Sequence, residues 1–352
     1  MFRFSPAFFI LSALLALTFT TVCHADTGNG EIKYSSETAM VKIDSDTVYW
    51  PEFRFWLNYI SRFYKQTHQL KQIDNWNSVE NGQPLTQFML SSAINYACND
   101  RAIEQLSSQY GIALSSEDIA EIDQQKTDTI KTYGSKFEYL RIVTRMYYAE
   151  SVYDYLTRID YLSRYLFARL YGRNGSRVTD KQIDDYVQNR QYRRAKYIFL
   201  GNTEIGGQAR TEQQRQHNFD QLLTLRKQLD AADDPVTLFN QLVQQYSEDV
   251  DSISYPDGHL FLPGAMPAAF ETAYEQLNNN EYSNVVRSDN GDYLILRLPI
   301  TADIAVNGTQ KSLRYWTAYD YLFKNRITTE CRKMAIQPLQ AYQTLDLSKT
   351  IH

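Results

Sequence analysis

Apolar and polar positions in the first part of the chain predict one short strand followed by helices. Residues 40–44 (MVKID) alternate between the two classes, which is typical of a strand. Pro51 suits the first turn of a helix. That helix carries apolar side chains at three- to four-residue spacing through about Tyr64: Phe53, Trp56, Leu57 and Ile60.

Capping and breaking residues place the helices that follow. Residues 85–110 predict one long helix, and Ser115 with the acidic residues after it begins another. Gly134 interrupts this helix, and the pattern predicts a further helix over 137–170. The sequence TDKQ, which begins at Thr179, is a capping-box pattern and starts a short helix.

A block of mixed character follows at residues 195–300. Strand-like AKYIFL opens it and strand-like GDYLIL closes it; between them lie predicted helices at 219–230 and 236–246 and then the segments YSEDVDS, DGHLFLPGAM and PAAFETAYEQL. After the block, residues 311–334 predict a last helix. Its apolar stripe must be buried against another element: Leu313, Trp316, Tyr319, Phe323 and Ile327.

The N-terminus has the pattern of an export signal. Arg3 precedes an uncharged apolar run at 7–22, and Cys23-His24-Ala25 offers small residues at the cleavage positions. We therefore predict a signal peptide at 1–25 and a flexible lead-in at 26–40, with the mature protein in the periplasm or on the outer face of the cytoplasmic membrane. No second apolar segment predicts a membrane span. An alternative is a lipoprotein anchored at Cys23.

Composition narrows the class of partner. A length of 352 residues supports two or three domains, and a net charge of −5 argues against nucleic acid as the main partner. Histidines are scattered along the mature chain, so neither a metal site nor a cofactor is predicted: His68, His217, His259 and His352. Cys98 and Cys331 are the cysteines left after cleavage, and their pairing stays open.

Tyrosine is abundant, with 27 residues in the chain. One group lies at irregular spacing in the predicted helices: Tyr147, Tyr148, Tyr153, Tyr155, Tyr161, Tyr165 and Tyr171. These side chains form either an adaptable aromatic groove for peptides or the packing between helices.

The ordered segments of residues 195–300 resemble the parvulin family of peptidyl-prolyl cis-trans isomerases. The resemblance implies a small antiparallel sheet surrounded by helices, with its penultimate strand at 284–286. The arrangement of elements at 41–194 resembles the helical module of exported folding factors of the SurA and PrsA type. It implies an α+β protein: a mostly helical chaperone module with an inserted parvulin-like domain, completed by residues 301–352 returning to pack on 41–194.

The resemblance also implies site residues, one position at a time. Asp249 falls where parvulins place a cysteine or aspartate facing the amide, and Tyr197 and Tyr293 fall where the family has two histidines. These three residues are the candidate catalytic set. Leu260, Met266 and Phe270 match positions that line the pocket for the proline ring.

Peptidyl-prolyl rotation has a barrier of ~20 kcal/mol and breaks no bond, so it needs a dry pocket and polar groups that favour the twisted amide. Two functions are therefore predicted. One is an exported foldase that binds unfolded client polypeptides and isomerises their X-Pro bonds. The alternative is a holdase chaperone whose parvulin-like domain is catalytically weak or inactive, because both family histidines are tyrosines. The sequence leaves the clients and the oligomeric state open.

Overall fold

The computed structural model describes residues 34–204, 206–255, 257–306 and 309–351. The predicted signal peptide, Cys23 and most of the predicted lead-in lie outside these residues. Within the described part of the chain, no helix is both long enough and apolar enough to cross a membrane.

Helices dominate the described chain, interspersed with short strands. Up to Tyr171 the elements are β1 (Ala39–Ile43), β2 (Asp46–Tyr49), α1 (Trp50–Thr67), β3 (Val79–Glu80), β4 (Gln83–Pro84), α2 (Leu85–Gln109), α3 (Ser116–Thr132), α4 (Lys136–Tyr147) and α5 (Glu150–Tyr171). A 3₁₀ turn (Arg173–Gly175) follows, then α6 (Asp180–Arg190), β5 (Arg193–Gly201), α7 (Glu212–Asp230), α8 (Pro235–Tyr246), α9 (Val250–Ser254), β6 (His259–Phe261), α10 (Ala268–Glu275), β7 (Val286–Ser288) and β8 (Gly291–Arg297). The last elements are α11 (Leu313–Trp316), a π-helical segment (Thr317–Phe323), α12 (Lys324–Cys331), β9 (Ile336–Pro338), α13 (Gln340–Gln343) and α14 (Leu347–Thr350).

The chain divides into two compact units. The first unit comprises the described residues up to Leu170 together with those from Phe323 onward, and the second unit is Tyr171–Leu322. The predicted α+β class is confirmed, since the helices are combined with small antiparallel sheets. The domain boundaries derived from the sequence stay a prediction.

The first unit joins the N-terminal helices to the C-terminal end of the chain. Strand β9 pairs antiparallel with β1 in a three-stranded sheet of order β2-β1-β9. Helix α12 packs against α2, and a disulfide joins Cys98 of α2 to Cys331 of α12 across a Cα–Cα distance of 5.6 Å. Buried apolar residues of α1, including Phe53 and Leu57, contribute to the core.

A buried polar network links three helices of this unit. Arg101 of α2 donates to both carboxylate oxygens of Glu52 on α1, with Nη2–Oε2 at 2.9 Å, and to the hydroxyl of Tyr155 on α5 at 2.8 Å. The Tyr155 hydroxyl in turn donates to Glu104 at 3.1 Å. Asp100 lies beside these groups with its Oδ2 buried and without a hydrogen-bond partner. Burial, with the repulsion of Glu52 as a second cause, raises the pKa of Asp100 well above its usual value.

The predicted helix 137–170 is wrong at one place, because the chain breaks between α4 and α5. Tyr148 adopts φ 65°, in the left-handed region, and ends α4. The guanidinium of Arg54 lies 4.6 Å from the centre of its ring. Tyr147 and Tyr153, on either side of the break, are buried with ring centroids 5.0 Å apart. For these two tyrosines, packing between helices is the observed role.

Other boundaries also differ from the prediction. The predicted last helix contains the π-helical segment Thr317–Phe323, and the Thr317 hydroxyl donates to the Leu313 carbonyl at 2.9 Å. Helix α7 begins at Glu212 rather than at 219, because Thr211 and Gln214 form a capping box. The penultimate strand is Val286–Ser288, two residues later than predicted.

The second unit is built on a four-stranded antiparallel sheet of order β6-β5-β8-β7. Successive side chains of a strand point to opposite faces, so the central strands β5 and β8 supply two separate cores. Ile198, Leu200, Leu294 and Leu296 pack on one face with apolar residues of α7 and α8. The opposite face carries aromatic side chains and packs against α10.

Candidate active site

The face of the sheet that packs against α10 is a cluster of aromatic rings. Tyr197 of β5 and Tyr293 of β8 lie on this face with ring centroids 5.9 Å apart. The ring of Phe270, from α10, meets both edge-on, at 5.4 Å from Tyr197 and 5.2 Å from Tyr293. All three side chains are buried, with 2 %, 3 % and 0 % exposure respectively. The structure thus brings together three of the sequence-predicted site residues.

Asp249 lies at the edge of this cluster. The hydroxyl of Tyr197 donates to Asp249 Oδ2 at 2.8 Å, and the backbone N–H of Asp251 donates to Oδ1 at 2.9 Å. Asp249 is half-buried and precedes the first residue of the short helix α9. The carboxylate is therefore held in one orientation by one buried phenol and one backbone amide.

Serine side chains fix the segment that carries Asp249 to strand β5. The Ser247 hydroxyl accepts from the Phe199 N–H at 3.1 Å and lies 2.6 Å from the Ser252 hydroxyl. The backbone N–H of Glu248 donates to the Phe199 carbonyl at 2.8 Å. These bonds attach the segment that carries Asp249 to strand β5, so the sheet sets the position of Asp249.

The two phenols have different partners. Tyr293 exchanges hydrogen bonds with the side-chain amide of Asn290, with Nδ2–Oη at 2.9 Å, whereas Tyr197 bonds the charged Asp249. Burial, followed by the hydrogen bond to Asp249, raises the pKa of Tyr197 far above its usual value of 10.0. Burial also raises the pKa of Tyr293. Both phenols therefore stay neutral, and each can donate its proton throughout the physiological pH range.

Met266 stands at the rim of the cluster, half-buried against it. The carboxylate of Glu271 accepts from the backbone N–H groups of Gly264 at 2.7 Å and Met266 at 3.2 Å. Its other oxygen pairs with the guanidinium of Arg193. The loop that presents Met266 is thus fixed between α10 and the first residue of β5.

Leu260 is not in the aromatic cluster, contrary to the prediction that it extends the same wall. It lies opposite Arg194 in the pairing of β5 with β6, whereas its neighbour Phe261 lies opposite Arg193. Phe261 belongs to the aromatic cluster, and its ring centroid is 5.9 Å from that of Phe270. Since side chains alternate along a strand, Phe261 takes the place assigned to Leu260.

Sequence reasoning missed further members of this face. Tyr274 is one helical turn beyond Phe270, a spacing that would have placed both on the same side of α10. His259 lies two residues before Phe261 on β6, and its ring contacts that of Tyr197 at 6.5 Å. Strand β6 was not predicted, because its three residues overlap the turn-like DGHL segment and are too few to show a periodicity.

Comparison with protein families identifies this part of the chain. Residues 198–298 match the model of the rotamase family described as the PPIC-type PPIASE domain. The chain carries a parvulin-type peptidyl-prolyl isomerase domain. This match confirms the predicted resemblance to the parvulin family and the predicted class of enzyme, a peptidyl-prolyl cis-trans isomerase. The match spans β6, β7, β8 and the second part of β5, and begins one residue after Tyr197.

Solved structures of PrsA proteins are similar to the chain at low identity. The peptidylprolyl isomerase PrsA of Bacillus anthracis is 20% identical over 68% of this chain and 96% of its own, with a TM-score of 0.25. PrsA of Bacillus subtilis is 17% identical over 79% and 97%, with a TM-score of 0.28. The foldase protein PrsA of Lactococcus lactis is 12% identical over 90% and 100%, with a TM-score of 0.28.

The search among curated proteins found no match. The assignment of the isomerase domain therefore depends on the match at 198–298 and is independent of the whole-chain similarities.

Proposed function

We propose that this protein is an exported folding factor that binds unfolded client polypeptides and isomerises their X-Pro bonds. The observation that carries the proposal is the aromatic face of the isomerase domain with a fixed carboxylate at its edge. Asp249, Tyr197 and Tyr293 are the polar groups of this site. Met266, half-buried at the rim, contacts the proline ring, and the buried rings of Phe270 and Phe261 lie behind it.

Rotation about the X-Pro bond passes through a twisted amide, in which conjugation is lost. The carbonyl oxygen of the twisted amide carries less negative charge than that of the planar amide. A carboxylate beside the oxygen therefore repels the planar ground state more than the transition state, and this difference lowers the barrier. Asp249 supplies that charge, and each 1.4 kcal/mol of differential interaction corresponds to about a tenfold change in rate.

Tyrosine serves this mechanism in the place of histidine. The Tyr197 hydroxyl orients Asp249, and the surrounding rings exclude water from the amide. Orienting Asp249 and excluding water require no base, nucleophile or cofactor, and the reaction itself makes and breaks no covalent bond.

The first unit is the proposed client-binding module. Its described surface exposes large apolar side chains, among them Phe137 at 72 %, Val79 at 71 % and Ile119 at 51 %. Exposed apolar side chains of this size are suited to extended, unfolded segments, which present such residues themselves. Export through the signal peptide at 1–25 would bring the module to clients in the periplasm or at the outer face of the cytoplasmic membrane.

The alternative is a holdase with weak or absent catalysis. It is favoured by the hydrogen bonding of the two phenols, since Tyr197 already bonds Asp249 and Tyr293 already bonds Asn290. Neither hydroxyl can reach a bound amide without leaving that partner. In this case the aromatic face would bind proline without accelerating its rotation.

The deciding experiment measures cis-trans exchange of a proline tetrapeptide with the chain lacking residues 1–25. Acceleration that is lost in Asp249→Asn supports the foldase. No acceleration, combined with suppression of client aggregation, leaves the holdase, and failure of both activities refutes both functions. In the double variant Tyr197→His/Tyr293→His, a higher rate would show that the tyrosines limit catalysis.

A further inference from the structure

His259 is an ionisable side chain on the aromatic face that the proposed mechanism does not use. It lies opposite Ala195 in the pairing of β6 with β5, so its side chain is on the same face as Tyr197. The His259 ring centroid is 6.5 Å from that of Tyr197 and 5.4 Å from that of Tyr255. Its Nδ1 atom is buried and has no hydrogen-bond partner.

Two carboxylates act on this imidazole. Asp249 and Asp251, at the start of α9, both favour its protonated form through charge attraction. The rings that lie near it are those of Tyr197 and Tyr255 and, on its own strand, that of Phe261. His259 thus lies against Tyr197, whose hydroxyl bonds the carboxylate that the proposed mechanism places beside the isomerised amide.

We propose that His259 is a positioning residue of the isomerase site, and that its protonation offsets the charge of Asp249 and slows isomerisation. The inference rests on the proposed foldase function. When the imidazole is neutral, Asp249 keeps its hydrogen bond from Tyr197, and the full negative charge of Asp249 acts on the amide. The imidazolium attracts Asp249 and cancels part of that field, so the difference in repulsion between planar and twisted amide becomes smaller.

Burial decides which form is present at neutral pH. It lowers the pKa of His259 below the usual 6.5, and the attraction of Asp251 and Asp249 only partly opposes it. His259 is therefore neutral at pH 7 and becomes charged on acidification. An exported protein meets such changes in pH directly when its compartment is open to the medium.

The first test is the pH dependence of kcat/KM on a proline tetrapeptide between pH 5 and 8. The unmodified chain should lose roughly three- to tenfold in kcat/KM on acidification, the range given by a partly screened charge several ångströms from the reacting amide. His259→Asn and His259→Gln carry no titratable group, so their profiles should be flat between pH 5.5 and 7. An equal acid loss in both variants, or a flat profile in the unmodified chain, would overturn the proposal.

A second test does not depend on catalysis. The chain contains 5 histidines, so the imidazole signal of His259 in a ¹³C-histidine-labelled sample can be assigned by its loss in His259→Asn. Its titration midpoint should lie below 6.5 and fall further in Asp249→Asn, because an anion that favours the imidazolium is removed. Asp303→Asn is the matched control: Asp303 is an exposed carboxylate that pairs with Arg314, and its removal should leave the midpoint unchanged.

The two tests separate this inference from the proposed function. If the His259 midpoint responds to Asp249→Asn but the chain does not accelerate cis-trans exchange, the foldase function is refuted, and the proposed effect of His259 on the rate is refuted with it. Acceleration with a midpoint that ignores Asp249→Asn refutes the role of His259 and leaves the foldase intact.

Discussion

Replacing Tyr197 by phenylalanine tests the bond on which the proposed site depends. The substitution removes only the hydroxyl that donates to Asp249 Oδ2 at 2.8 Å. The ring, buried to 2 % exposure, keeps its contacts with Phe270 and Tyr293. The carboxylate then retains the hydrogen bond from the backbone N–H of Asp251.

The expected cost follows from the charge of the acceptor. A hydrogen bond to a charged group contributes about 1.5–3 kcal/mol, and the half-buried position of Asp249 argues for the lower end, about 1.5 kcal/mol. Tyr293→Phe is the matched control on the same face, because its hydroxyl bonds the neutral amide of Asn290. That change should cost about 0.5–1 kcal/mol, so the local opening equilibrium of the two variants should differ by roughly two- to fivefold.

Hydrogen exchange of the amides in β5 and β8 measures this difference directly, because it reports the opening of the sheet that carries both tyrosines. Tyr197→Phe should also lower kcat for the proline tetrapeptide more than Tyr293→Phe, since it releases Asp249. Equal protection and equal kcat in the two variants would refute the assignment of Asp249 and Tyr197 as a functional pair.

Three further predictions concern the first unit. Cys98→Ser/Cys331→Ser should destabilise it by about 5.5 kcal/mol at most in the chain-entropy model, since the disulfide joins residues 233 positions apart; urea unfolding that is unchanged by the double substitution or by a reductant would contradict this. Deleting residues 311–352 removes α12 and β9, so it should lower the melting temperature of the first unit while amide protection within 195–300 persists. An unchanged melting temperature of the first unit in the truncated chain would contradict this prediction. The raised pKa of Asp100 predicts that the contribution of this carboxyl to the stability of the unit is fully present below about pH 4 and is lost as pH rises through that pKa; Asp100→Asn should remove this part of the pH dependence in denaturation curves, and an unaltered slope would rule Asp100 out as its source.

Local patterns were sufficient for most helices and for the central strands. Ser115 and Thr179 cap helices through bonds to the backbone three residues on, as their side chains predict. The strands β5 and β8 were also predicted, because each contains a short run of apolar and β-favouring residues. The break at Tyr148 was not, because a left-handed tyrosine has no local signal and depends on neighbours such as Arg54.

The candidate site divides in the same way. Residue type and order placed Asp249, Tyr197, Tyr293, Met266 and Phe270 in one domain, because the family pattern is a property of the sequence. Strand register decided that Phe261 rather than Leu260 meets Phe270, since a shift of one residue reverses the face of a side chain.

The sequence by itself determined the presence of a parvulin-type domain, the class of the fold and the residue types available to its site. Only the tertiary structure decided how those residues are paired: Tyr197 with Asp249, Tyr293 with Asn290, and Cys98 with Cys331. The physical reason is distance along the chain. Periodicity and capping act between residues a few positions apart, whereas these partners, apart from Asn290, are separated by 52 and 233 residues and meet only when the sheet and the helices pack.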